Sequence, residues 1–179
     1  TWVSDTIKIA PATYYISGIH ALDGSRGWVT MADNSGATSG GIFRTTDGGV
    51  TWAQDPTAFK TAGGFADFIH FFDANNGVCV GDPTNGYFEI YTTSDGGATW
   101  SRVPQGNIPP KLPNEWGWMS TFSAAGNSLW FPTATTGGVG TGRYYRTTDR
   151  GLTWSVHVYP GALSGWAPFF GFQDENVGV

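Results

Sequence analysis

The chain has 179 residues, enough for one well-buried core, and only 13% of them are charged against roughly 25% in typical soluble domains. Low charge with 27 glycines and nine tryptophans disfavours long solvated helices and predicts short strands joined by tight turns. A net charge of -5 with nine scattered Lys and Arg lacks the basic footprint of a nucleic-acid binder, and no apolar run reaches the roughly 18 residues of a membrane helix.

In chain order, the sequence opens on Thr1-Trp2, the end of a motif that is then written out three times: TTDGGVTW (45–52), TTSDGGATW (92–100) and TTDRGLTW (147–154). The first residues show no basic-then-apolar signal pattern, so any export signal is expected to lie outside this sequence. A second series, ALDGSRGW (21–28), FFDANNGV (71–78), FSAAGNSL (122–129) and FQDENVGV (172–179), aligns without gaps and puts Asp23, Asp73, Ala124 and Asp174 at one position. Both series keep a period of about fifty residues, the scale of propellers and solenoids, whose units bury their faces only against neighbours. The units give a blade tail (1–16), blades at 17–55, 64–104 and 116–160, and the start of a further blade (164–179).

Turn chemistry divides the second unit into four runs rich in aromatic and β-branched residues: FADFIHFFD (65–73), GVCVGD (77–82), FEIYTTS (88–94) and TWSRVP (99–104). Four antiparallel strands per unit describe an all-β propeller, with about three and a half blades present. The first two runs are apolar on both faces, as strands between neighbouring blades should be, and the charged fourth suits an outer edge. Both termini read as cut repeats, so the chain is expected to be part of a larger protein, its ring completed by further blades or by a second copy.

Asp-Gly is a strong hairpin signal because the turn demands positive φ. The carboxylate of Asp47, Asp95 or Asp149 can accept N–H groups of its own turn, beside Gly49, Gly97 or Gly151. Trp52, Trp100 or Trp154 can then cover the hairpin and fill the gap between blades. The pattern S/T-x-D-x-G-x-T-W resembles the Asp-box, or BNR repeat, of sialidases, xyloglucan-cleaving glycosidases, the sortilin ectodomain and assembly factors of the photosystem II stability-factor type. The run F-x-D-x-x-x-G-V-x-V-G-D followed by T-x-D-G-G-x-T-W resembles the last group most, with its relatives among secreted bacterial proteins, notably of Bacteroidetes. This resemblance covers essentially the whole chain. It implies an Asp-box propeller outside the cell or on its surface, with the periplasm as a further option. It implies no particular activity, because the Asp-box recurs in propellers of unrelated function.

Residues that recur in every unit are assigned to the blade, which removes Asp23, Asp73, Asp174 and the Asp-box aspartates, with Asp33 and Asp82 read as turn residues. His20 and His70 are equivalent positions expected to be packed, His157 is expected at the surface, and Cys79 in VCVGD reads as a buried strand position. Two insertions break the period, QGNIPPKLPNEWGW (105–118) and TATTGGVGTG (133–142). Both are expected on the face opposite the Asp-box turns, rimming the channel mouth. That rim is expected to gather Tyr87, Lys111, Glu115, Trp116, Trp118 and Trp166, together with Asp67 from the preceding linker; Tyr87, Lys111, Trp116, Trp118 and Trp166 are the ligand-binding candidates, able to stack on sugars or hold a peptide side chain, unless the tryptophans begin inner strands and fill the core.

A glycosidase needs two carboxylates across the scissile bond, one of raised pKa, and Asp67 with Glu115 is the only non-repeat pair to nominate. The Phe-Arg-Ile-Pro box of sialidases is absent. Arg44 and Arg146 precede Asp-boxes where the second blade has Thr92, so no arginine triad assembles. No Ser-His-Asp set, Cys-His pair, phosphate loop, cofactor motif or metal-ligand spacing is present. The expectation is a non-enzymatic propeller module that presents its loop face to a protein or glycan. A glycoside hydrolase fragment is the alternative, and an assembly factor for a membrane complex a further one.

Overall fold

The computed structural model describes residues 14–33, 40–60, 64–136, 142–159 and 171–174. Three antiparallel sheets follow one another along the chain. The first runs β1 (Tyr14–Ala21), β2 (Gly27–Asp33), β3 (Gly41–Thr45) and β4 (Ala53–Gln54), paired in that order. The second repeats it as β5 (Ala66–Phe71), β6 (Gly77–Thr84), β7 (Tyr87–Thr93) and β8 (Ser101–Arg102). The third has β10 (Ser123–Ala125), β11 (Ser128–Thr135), β12 (Arg143–Thr147) and β13 (Ser155–Val158), with β9 (Glu115–Gly117) also pairing with β11. These are propeller blades. Among the described residues no helix is long and apolar enough to cross a membrane.

In the second blade the inner strands are apolar on both faces because each face meets a different blade. On β6, Cys79 points into the cluster shared with the first blade, with Trp28, Ile42, Ile69 and Tyr91. Its neighbours Val78 and Val80 point into the cluster shared with the third, with Phe88, Leu129, Phe131 and Tyr145. The short edge strands β4 and β8 are exposed along their length. Cys79 is a free thiol, wholly buried, and burial pushes its pKa up.

Each Asp-box folds as its residue types dictate. The Thr45 hydroxyl donates to Asp47 Oδ1 (2.8 Å) and accepts the Gly49 N–H (2.8 Å), while Asp47 accepts the Thr51 N–H (2.9 Å) and hydroxyl (2.6 Å). The same pattern recurs around Asp95 and Asp149. The closing indoles of Trp52 and Trp154 donate to the carbonyls of Gly49 and Gly151. The box glycines are also packing devices. A β-carbon at Gly97 would sit 2.5 Å from Trp28 Nε1 of the first blade, and one at Gly151 would sit 2.7 Å from Val78 of the second.

The gapless alignment fails in the third blade. Asp23 and Asp73 lie in turns and accept the N–H groups two and three residues ahead, at 2.8 Å each. Ala124 has no carboxylate to organise such a turn; it lies in β10 opposite Leu129, and the connection tightens to Gly126-Asn127. A further irregularity recurs. The pairing of β1 with β2 slips at Ser17, and that of β5 with β6 slips at Asp67. At the same place the third blade interrupts its inner strand, between β9 and β10.

Candidate functional site

The sheets put two kinds of connection at opposite ends. At one end the first turn of each blade bonds to its Asp-box turn, through Gly48 N–H to Ser25 O, Gly96 N–H to Asn75 O and Arg150 N–H to Asn127 O. At the other end gather the β6–β7 turn, the 105–114 connection and the starts of the inner strands, tied by Lys111 N–H to Gly86 O and Asp82 N–H to Phe65 O. This second end is the expected rim.

The long connection is anchored rather than free. A single 3-10 turn at Gln105–Asn107 leads to Ile108, which is buried in the cluster between the second and third blades. Asn107 accepts the Trp154 N–H through its carbonyl (2.9 Å) and donates through its side-chain amide to Leu152 O (3.1 Å). Arg143 Nη2 donates to Pro110 O (3.1 Å). What results is a groove of about 460 Å³ between Tyr87, Asn107, Pro109, Pro110 and Trp154. Tyr87 is among the ligand-binding candidates of the sequence; Trp154 belongs there to the Asp-box alone, and only the length of the insertion at 105–118 points to a groove.

Glu115 starts β9 at the rim end but does not open onto it. It is buried, and its carboxylate accepts from Arg143 Nε (2.9 Å) and Nη2 (2.6 Å), the Thr133 hydroxyl (2.6 Å) and the Leu112 N–H (2.6 Å). Two oxygens holding four donors, one of them a bidentate guanidinium, have no capacity left for substrate or proton transfer. Tyr145 completes the network, accepting from Arg143 Nη2 at 2.8 Å.

Asp67, near the start of β5, does not open onto the rim either. It is 2% exposed, and its Oδ2 accepts no hydrogen bond from the described residues. Burial, then the nearby Asp82 carboxylate, pushes the Asp67 carboxyl well above the usual range. The neighbour is therefore Asp82 and not Glu115. Asp82 also departs from the turn role expected of it. It lies within β6, and its Oδ1 accepts the Gly117 N–H of the third blade (3.2 Å). Burial raises Asp82 as well.

Trp116 and Trp118 are half-buried, with ring centroids 4.8 Å apart and planes inclined at 38°. Lys111 is half-buried and donates to Leu112 O (3.2 Å). Trp166 lies outside the described residues. His20 and His70 meet edge-on at 5.3 Å, and His70 also packs on Phe72 and Phe122. Burial, then the charge of His20, lowers the His70 pKa to about 4. His157 is exposed, stacked on Tyr144. Among the described residues no three His, Cys, Asp or Glu side chains are grouped to hold a metal ion.

A family model described as photosynthesis system II assembly factor YCF48 matches residues 1–166. Among solved structures, the GH74 enzyme of Niastella koreensis is similar, with a TM-score of 0.52 and 20% identity over 75% of this chain. The chain spans 20% of that enzyme's length, and the likeness concerns the fold alone. None of the curated proteins compared with the chain matches it.

Proposed function

Because the chain belongs to the photosynthesis system II assembly factor YCF48 family, we propose that it is a non-enzymatic propeller module whose loop face seats a segment of a partner protein. The observation that carries this reading is the state of the two carboxyls a hydrolase would need. Glu115 is saturated by Arg143, Thr133 and Leu112, and Asp67 is enclosed between blades. What the seam between the second and third blades offers instead, from Tyr87 at the rim to Trp154 of the Asp-box, is a groove walled also by two prolines, a shape suited to an extended peptide with apolar side chains. The module works at the cell surface or outside the cell, supported by its low charge and its Thr-, Gly- and Trp-rich composition. Further blades, or a second copy, complete its ring.

The half-buried Trp116–Trp118 pair favours a second reading, in which the face stacks on a glycan. Three assays separate the readings from each other and from an enzyme. Under the first reading, affinity capture from the native host returns one partner at saturation, and Tyr87→Ala weakens it about tenfold or more, as expected for an aromatic anchor. Binding of xyloglucan oligosaccharides, lost in Trp116→Ala, would replace it with the glycan reading. Hydrolysis of those oligosaccharides, abolished by Asp67→Asn or Glu115→Gln, would overturn both.

A further inference from the structure

Asp67 is buried, carries an oxygen without a partner, and lies at the slipped position of the second blade's inner strand. The third blade closes directly over it. A β-carbon at Gly117 would collide with Asp67 Oδ2, so the glycine lets the β9 backbone lie against the carboxyl. Gly117 N–H donates to Asp82, and the Ser120 N–H donates to the carbonyl of Asp67 (3.1 Å). Ser120 Oγ donates in turn to Ser17 O of the first blade (2.7 Å), and Ser17 Oγ donates to Ala66 O and lies 3.0 Å from Thr30 Oγ1. One short segment of the third blade therefore ties three inner strands together at the position where each is irregular.

We propose that Asp67, Asp82, Gly117 and Ser120 form a proton-held clasp between blades, closed while Asp67 carries a proton and opening when that proton is released to solvent. The chemistry follows from what surrounds the carboxyl. As the neutral acid, Asp67 can sit against Gly117 and beside the Asp82 carboxylate. As an anion it is a second negative charge with no cation and no donor to its Oδ2 among the described residues.

The other titratable groups facing it do not offset that charge. Tyr15 of β1 and Cys79 of β6 are both raised by burial and by the nearby carboxylates, so they stay neutral through the range in question. From the third blade Gly117 and Ser120 meet the two carboxyl residues through backbone N–H groups, and Glu115, two residues from Gly117, is spent on Arg143. Release of the clasp frees the segment between β9 and β10, which carries Trp118 and the exposed Met119 of the rim. The device thus links the shape of the rim to pH.

The sign is set by linkage. In the closed form Asp67 titrates well above its ordinary value, and in the open, solvated form it titrates near 3.8. Between those two values the opening constant rises about tenfold per pH unit, because opening releases one proton. The test is amide hydrogen exchange of the intact chain from pH 4 upward. Protection at Gly117 and Ser120, corrected for intrinsic rates and referred to Val80 in the core of the second blade's sheet, should fall with that slope.

In Asp67→Asn, an uncharged isostere, the protection should be independent of pH. Asp82→Asn keeps an acceptor for Gly117 but removes the like charge, so it should reduce the total loss. Flat protection in the native sequence overturns the clasp, as does a pH slope that survives in Asp67→Asn. If Asp67→Asn does not fold, Asp82→Asn decides: a loss as large as that of the native sequence overturns the coupling of the two carboxyls.

Discussion

At the scale of single residues, the two carboxyls that looked equivalent in the sequence have opposite fates. Glu115 is an anion held by a guanidinium whose side chain is 11% exposed. Replacing it by Gln removes the charge and leaves Arg143 buried without its partner, which should cost about 3–5 kcal/mol in urea unfolding. Replacing both by apolar residues of similar volume, Glu115→Leu with Arg143→Met, should recover much of that loss. His70 supplies a second residue-scale test. Its pKa falls from an ordinary 6.5 to about 4 on burial, so the folded state binds the proton less well than the unfolded chain. Its contribution is present above about 6.5 and is lost as pH falls from there towards 4, opposite in direction to that of Asp67. Thermal melts across that interval should show a fall in Tm that is flattened in His70→Gln.

At the scale of the blade, what was legible in the sequence is what local chemistry decides. The Asp-box could be read directly because its hydrogen bonds span at most four residues, from Thr45 to Gly49 and from Asp47 to Thr51. Fifty-residue periodicity then implied sheets that pack on one another, and β6 with Cys79 on one side and Val78 on the other realises it. The site was not legible in this way. Whether Glu115 is free depends on Arg143, 28 residues on, and whether Asp67 is solvated depends on Asp82 and on Gly117 of another blade. The alignment of Ala124 with Asp73 erred for a related reason: a ladder of identities cannot see that a turn without its carboxylate has shortened.

The box glycines give this scale its prediction. Gly97 and Gly49 share positive φ, at 73° and 93°, so Ala at either incurs backbone strain of about 1 kcal/mol or more. Only at Gly97 does the new methyl also meet another blade, 2.5 Å from Trp28 Nε1; at Gly49 the nearest atom is in its own Trp52, at 3.8 Å. Chemical denaturation should therefore show Gly97→Ala to be the more damaging by about 1–3 kcal/mol, the usual cost of overpacking. Equal losses would mean that the box glycines serve the turn alone.

At the scale of the whole molecule, the contrast between those glycines describes an unfinished interface. In the second blade the box and the end of the inner strand receive Trp28, which stacks on Phe71 at 3.6 Å. The third blade repeats the arrangement outward, with Trp130 stacked on Phe172 at 4.0 Å. The corresponding surface of the first blade, around Ile19, Ala21, Gly49 and Trp52, encloses a hollow of about 190 Å³ filled by none of the described residues. Ile16, Ile19 and Val50 beside it are 50%, 69% and 80% exposed. Apolar side chains at such exposure on the face of a blade, next to a socket that its sister blades fill with an aromatic or aliphatic side chain, are expected to attract another blade. The 179-residue chain should then scatter light as a particle heavier than its 19.1 kDa. Ile19→Glu, which sets a charge on that face without touching the core, should return it to 19.1 kDa at an unchanged Tm. A monomeric native sequence would mean that the face is covered from within the chain, and Ile19→Glu should then lower Tm instead.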